Sequence, residues 1–180
     1  MGGPIMSVED LLREHKESIL KKWFSQVVRT YPDETAKFLQ REQDPFNNPV
    51  GSNILHGIEE IFDQLASGND VSAITPFLER VVRIRAIQDF TPSQAVAFVF
   101  ALKGIVRAAL GDSVEERNFA RQLTAFEDKV DKFGLLTFDA YMQSREKVYE
   151  LRANEVKNSV ASLLKRANLM SGHSEEEGEQ

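Results

Sequence analysis

The chain contains no cysteine. Disulfide staples, thiolate metal sites and cysteine nucleophiles are therefore excluded. The same absence fits a reducing compartment. No basic segment leads into a long apolar run at the N-terminus, so a cytoplasmic location is expected. Histidine is scarce. His15, His56 and His173 never stand at helical spacing from one another, so no metal site is expected. His15 and His56 fall on amphipathic patterns, where a partly buried structural role is expected rather than haem ligation. Long hydrophobic runs are missing too. The longest, 95–102, is far below the ~20 residues of a membrane span, so no membrane insertion is expected. Basic residues number 22 against 28 acidic ones, for a net charge of −6. A nucleic-acid partner would need a clustered basic face, and none is present. There is no glycine-rich phosphate loop and no nucleophile elbow. The acid pairs Glu59-Glu60 and Glu115-Glu116 are adjacent, so their side chains diverge on a helix. The expectation is a protein that is not an enzyme and uses no cofactor.

Helical periodicity is what the chain has in abundance. Its 180 residues, 42% hydrophobic and 28% charged, suit one globular domain with a core. Ser7-Val8-Glu9-Asp10 is a helix start. Val8, Leu11, Leu12, His15, Ile19, Trp23, Val27 and Val28 then mark one face of a long helix ending near Tyr31-Pro32. Trp23 is expected in the core. A short helix over 33–42 precedes a turn-rich loop over 44–51, with Phe46 and Val50 expected to pin it to the core. Ser52 opens a helix whose stripe is Ile54, Leu55, Ile58, Ile61, Phe62 and Leu65, with Gly68 as its stop. Caps over 70–76 introduce another helix reaching about Asp89. After Gly111, Ser113-Val114-Glu115-Glu116 reads as a capping box for a helix through Val130, with a break or bend at Gly134. The pattern resumes at Leu135 and continues to Leu169. No stretch alternates as a strand would. The expected fold is an all-α bundle of about seven helices with a long C-terminal helix. The expected boundaries are a core over 7–134, the long helix over 135–169 and an acidic disordered tail over 170–180.

The centre of the chain reads Arg83-Ile84-Arg85-Ala86-Ile87-Gln88-Asp89-Phe90, then Thr91-Pro92-Ser93-Gln94. Arg85 and Asp89, four apart, are expected to pair on one helical face. That pair sets a helix corner, or else marks a polar spot at an effector pocket or dimer interface. On the second reading Arg83, Arg85, Gln88 and Asp89, with Lys103 nearby, are the ligand or interface candidates. Thr91 is a helix N-cap, Pro92 suits the first helical position, and Gln94 can reach back to the Thr91 amide. The following run over 95–102 is apolar all round, which predicts burial on every side. Lys103 and Arg107 should then return the helix to solvent.

Near the C-terminus Met142, Tyr149, Val156, Leu163 and Met170 recur every seven residues, with Ala153, Val160 and Ala167 between them. Charged residues flank this seam, as a dimeric coiled coil requires. Tyr149, Val156, Val160 and Leu163 are the dimer-helix candidates. The other reading is a terminal amphipathic helix folded onto its own domain.

The string from Arg83 through Val96, with Phe98 and Leu102-Lys103, resembles the N-terminal domain of the RsbR/RsbRD group. These are co-antagonist proteins of the bacterial general stress pathway. The 44–51 loop and the Trp23 helix extend the resemblance over roughly Val8 to Tyr149. It implies a globin-like fold without haem, a homodimer, and a sensory or regulatory role toward a signalling partner whose identity it leaves open. In full-length relatives a long helix leads on to a phosphorylatable STAS domain. This chain has the helix but no such domain, so phosphorylation and kinase scaffolding are not carried over. The alternative function, drawn from 12 phenylalanines and the all-apolar helix, is binding of a small molecule or lipid in an interior pocket.

Overall fold

Seven α-helices account for the ordered architecture among the described residues of the computed structural model, which are 7–42, 44–67, 74–88, 90–111 and 117–176. They are α1 (Val8–Glu14), α2 (Lys16–Val28), α3 (Asp33–Arg41), α4 (Pro49–Ala66), α5 (Thr75–Ile87), α6 (Pro92–Leu110) and α7 (Arg117–Glu176). No strand occurs among those residues, so the all-α class and the long C-terminal helix hold. The expected number of helices also holds, but through two compensating differences. The first helix divides at His15, which closes α1 and opens α2. The last two merge, because α7 runs through Gly134 without a break.

Local chemistry explains the helix ends. Ser7 and Asp10 form a reciprocal capping box at α1. Thr91 and Gln94 do the same at α6, with Pro92 just inside. Gly111, at φ 56°, ends α6 in a conformation that side chains disfavour. α4 begins three residues before Ser52. Its cap is Asn48, whose Oδ1 accepts from the Gly51 amide at 2.8 Å and whose Nδ2 donates to the Leu39 and Glu42 carbonyls. A Cβ at Gly51 would collide with that Asn48 side chain. The proposed stop at Gly68, the caps over 70–73 and the capping box over 113–116 lie outside the described residues.

The chain divides into two compact units, Met1–Ser144 and Arg145–Gln180. The first thus extends past the boundary expected at 134. Its core gathers Trp23, Ile54, Ile58, Ile61, Phe62, Leu102, Val106, Val130 and Phe133, all essentially solvent-free. In the second unit residues 145–167 are exposed or half-exposed, and the helix reaches Glu176, beyond the expected end at 169. Residues 177–180 lie outside the described residues.

Two burial expectations need correction. Val50 packs against the core, but Phe46 is 91% exposed, because the loop is held by Asn48 and by Asp44 accepting from the Phe46 amide. And α6 is not buried on all sides: Ala97, Phe100, Gly104 and Ala108 form an open face. α6 is also the one helix among the described residues long and apolar enough to cross a membrane by length and composition. Its inner face is central to the core and packs on α2.

α6 and α7 meet in antiparallel register. Lys103 Nζ donates to both Asp131 oxygens at 2.9 Å, and Arg107 holds Glu127 through two nitrogens, one of them at 2.7 Å. One turn further, the Phe100 ring covers Gly134, where a Cβ would run into it. Gly134 is therefore a point of close approach inside a continuous helix.

Candidate functional site

Arg85, near the C-terminal end of α5, is fully buried. Its Nε donates to the Ala95 carbonyl at 3.0 Å. Its Nη2 donates to the Gln94 carbonyl at 2.9 Å and to the Thr30 hydroxyl at 3.1 Å. Two rings flank the guanidinium, Phe90 at 4.5 Å and Phe98 at 5.4 Å from their centroids. Such stacking stabilises a desolvated cation by about 2 kcal/mol. Nη1 is left with no partner among the described residues.

Aromatic side chains enclose this cation. Tyr31 meets Phe90 edge-on at 5.4 Å, and Trp23 stacks on Phe98 at 6.2 Å. The Trp23 indole donates to the Phe98 carbonyl at 2.7 Å. Tyr141 of α7 donates to the Phe90 carbonyl at 2.8 Å. The Tyr31 hydroxyl is buried beside Gln88 and Arg85 and has no hydrogen bond of ordinary geometry among the described residues. Burial pushes the Tyr31 phenol above its usual value, an effect partly offset by the Arg85 charge and by Gln88. Burial likewise lowers the Arg85 value, against the opposing influence of Tyr31 and Tyr141. The guanidinium still keeps its charge at neutral pH.

The five sequence candidates do not form one cluster. Arg85 and Gln88 come together with Tyr31. Arg83 is exposed. Lys103 is engaged by Asp131. Asp89 lies outside the described residues. α5 closes at Ile87 and Gln88 is extended (φ −83°, ψ 157°), and the expected pair of Arg85 with Asp89 falls outside the described residues. Among the described residues Arg85 rests on carbonyls and a hydroxyl. Thr30, Tyr31 and Tyr141 were missed as members, since Tyr31 read only as the end of a helix. The usable signal was scarcity: two of only three tyrosines flank one arginine.

The second candidate surface is the apolar stripe of α7 in the second unit, where Tyr149, Val156, Val160 and Leu163 are each at least 49% exposed; in the first unit Leu135, Phe138 and Met142 are each at least 43% exposed. Tyr149 carries Arg145 over its ring at 4.9 Å. Among the described residues no group of three or more metal-ligating side chains occurs. His56 lies at the surface within 3.4 Å of Glu60. Two spaces of about 970 and 930 Å³ are open surface grooves beside α2. A more enclosed space of about 100 Å³ lies among Val8, Leu12, Leu65 and Phe126. Interior sites for drug-sized ligands usually need roughly 300 Å³ or more.

The family model for the RsbT co-antagonist protein rsbRD N-terminal domain matches residues 17–156. The chain belongs to that family. The matched span includes every residue of the Arg85 cluster and the α7 stripe as far as Val156. It is a family of sensory domains in stress-response signalling and not of enzymes. Searches of curated proteins and of solved structures find no match.

Proposed function

We propose that this RsbRD N-terminal domain works as a dimeric sensory module of the bacterial cytoplasm. The Arg85 corner is its input, and α7 carries its output to a signalling protein. The observation that carries the reading is the exposed apolar stripe of α7. In proteins most helical stability comes from packing of an apolar face. Yet the side chains at Tyr149, Val156, Val160 and Leu163 are 55%, 62%, 49% and 64% exposed within one chain. Burying each against a second copy would contribute up to about 1.5–3 kcal/mol. Their seven-residue recurrence, with charged flanks, matches a two-helix seam.

Size-exclusion chromatography with light scattering tests this. The wild-type chain should run as a dimer at micromolar concentration. Val156→Glu and Leu163→Glu should each shift it toward monomer by at least tenfold in Kd, with the midpoint of core unfolding unchanged. A wild-type chain that stays monomeric at high concentration would sink the proposal.

A further inference from the structure

The Arg85 corner carries a charge that no described residue around it balances. Every partner of the guanidinium among the described residues is neutral: two carbonyls, one hydroxyl and two aromatic faces. An unbalanced buried cation is costly, and arginine cannot escape by losing its proton. The location adds to the imbalance. The guanidinium is bound to carbonyls in the first turn of α6, at the end of the helix that carries its positive partial charge. Two donors also stand idle there. Arg85 Nη1 and the Tyr31 hydroxyl both lack partners among the described residues, on side chains 0% and 8% exposed. A buried donor without a partner is costly, because it has given up its hydrogen bonds to water.

We propose that the corner binds a small carboxylate, one oxygen accepting from Arg85 Nη1 and the other from the Tyr31 hydroxyl. A carboxylate answers both deficits at once, since it neutralises the cation and its two oxygens match two donors on separate side chains. Thr30 and Phe90, at the edge of the cluster, are half-buried. The assignment rests on reading this corner as the input of the sensory module.

The test uses the full chain, with sodium acetate as probe against sodium chloride at matched ionic strength. Thermal unfolding and titration calorimetry are read together. Acetate should raise the unfolding midpoint in a saturable way, and chloride should not. Tyr31→Phe should weaken acetate binding about tenfold, the loss of one hydrogen bond to a charged group. Arg85→Lys should abolish it. Tyr31→Phe, which deletes only an idle hydroxyl, keeps the test valid if Arg85→Lys does not fold. Equal responses to acetate and chloride, or undiminished affinity in Tyr31→Phe, would overturn the proposal. So would acetate binding that appears only in Asp89→Asn, which would make Asp89 the native counter-ion. Light scattering on the same samples separates this outcome from the dimer, which stands or falls on α7.

Discussion

Tyr31 is a residue whose environment works against its own ionisation. Burial raises its folded value above the ordinary phenol range, near 10. In the unfolded chain the phenol ionises first, so folding is fully supported below about pH 10 and loses support as pH climbs through the folded value. Lys16 adds a loss of the same sign, because Asp63 and Glu59 raise its value. Tyr31→Phe should therefore flatten, without removing, the fall in stability between about pH 9.5 and 11, as followed by urea unfolding at each pH. At pH 7, without ligand, the same change should raise stability by about 1 kcal/mol or more, because it removes a buried hydroxyl that has no hydrogen bond of ordinary geometry among the described residues.

At the scale of the element, the start of α6 does two jobs. Its capping box satisfies the first-turn amides, with the Gln94 amide donating to Thr91 Oγ1 at 3.3 Å and the Thr91 amide to Gln94 Oε1 at 3.0 Å. Its carbonyls at Gln94 and Ala95 meanwhile hold Arg85. Thr91→Ala should cost about 1 kcal/mol in urea unfolding. It should also weaken acetate binding at the corner, since a frayed first turn no longer fixes the guanidinium. This element was legible in the sequence, because capping is a matter of residues three apart. The capping boxes at Ser7 and Thr91 were both readable for that reason. The partner of Arg85 was not. Spacing offers only Asp89, which lies outside the described residues, whereas the described groups that hold Arg85 come from α6 and from Thr30, 55 residues away. The open face of α6 was hidden for a similar reason. An all-apolar run states that burial is tolerated, and only packing decides which side receives it. Gly134 misled in the opposite direction, because a glycine that admits the Phe100 ring has the same letter as one that ends a helix.

At the scale of the whole molecule, the two units call for different kinds of support. The first contains the core and the entire Arg85 cluster, including Tyr141. A chain ending at Ser144 should fold with a stability within about 1 kcal/mol of the monomeric Val156→Glu variant, since residues 145–167 are exposed or half-exposed. Circular dichroism of that truncation should lose the helical signal of the missing segment and keep cooperative unfolding. Should the truncation still dimerise as tightly as the full chain, the seam beyond Ser144 would have no part in assembly. Leu135, Phe138 and Met142, which lie before that cut, would then be the surface to examine.

The enclosed indole of Trp23 gives the molecule a built-in optical gauge. It is the chain's sole tryptophan, it is sealed from solvent, and its N–H is fixed to the Phe98 carbonyl. Its emission should therefore lie toward the blue end of the tryptophan range in the folded state. The Phe98 ring that stacks on it also flanks Arg85. An anion arriving at that arginine would alter the electric field across the indole, and the emission maximum should move as acetate is added. Tyr31→Phe should shift the midpoint of that titration to higher acetate while leaving the starting spectrum in place.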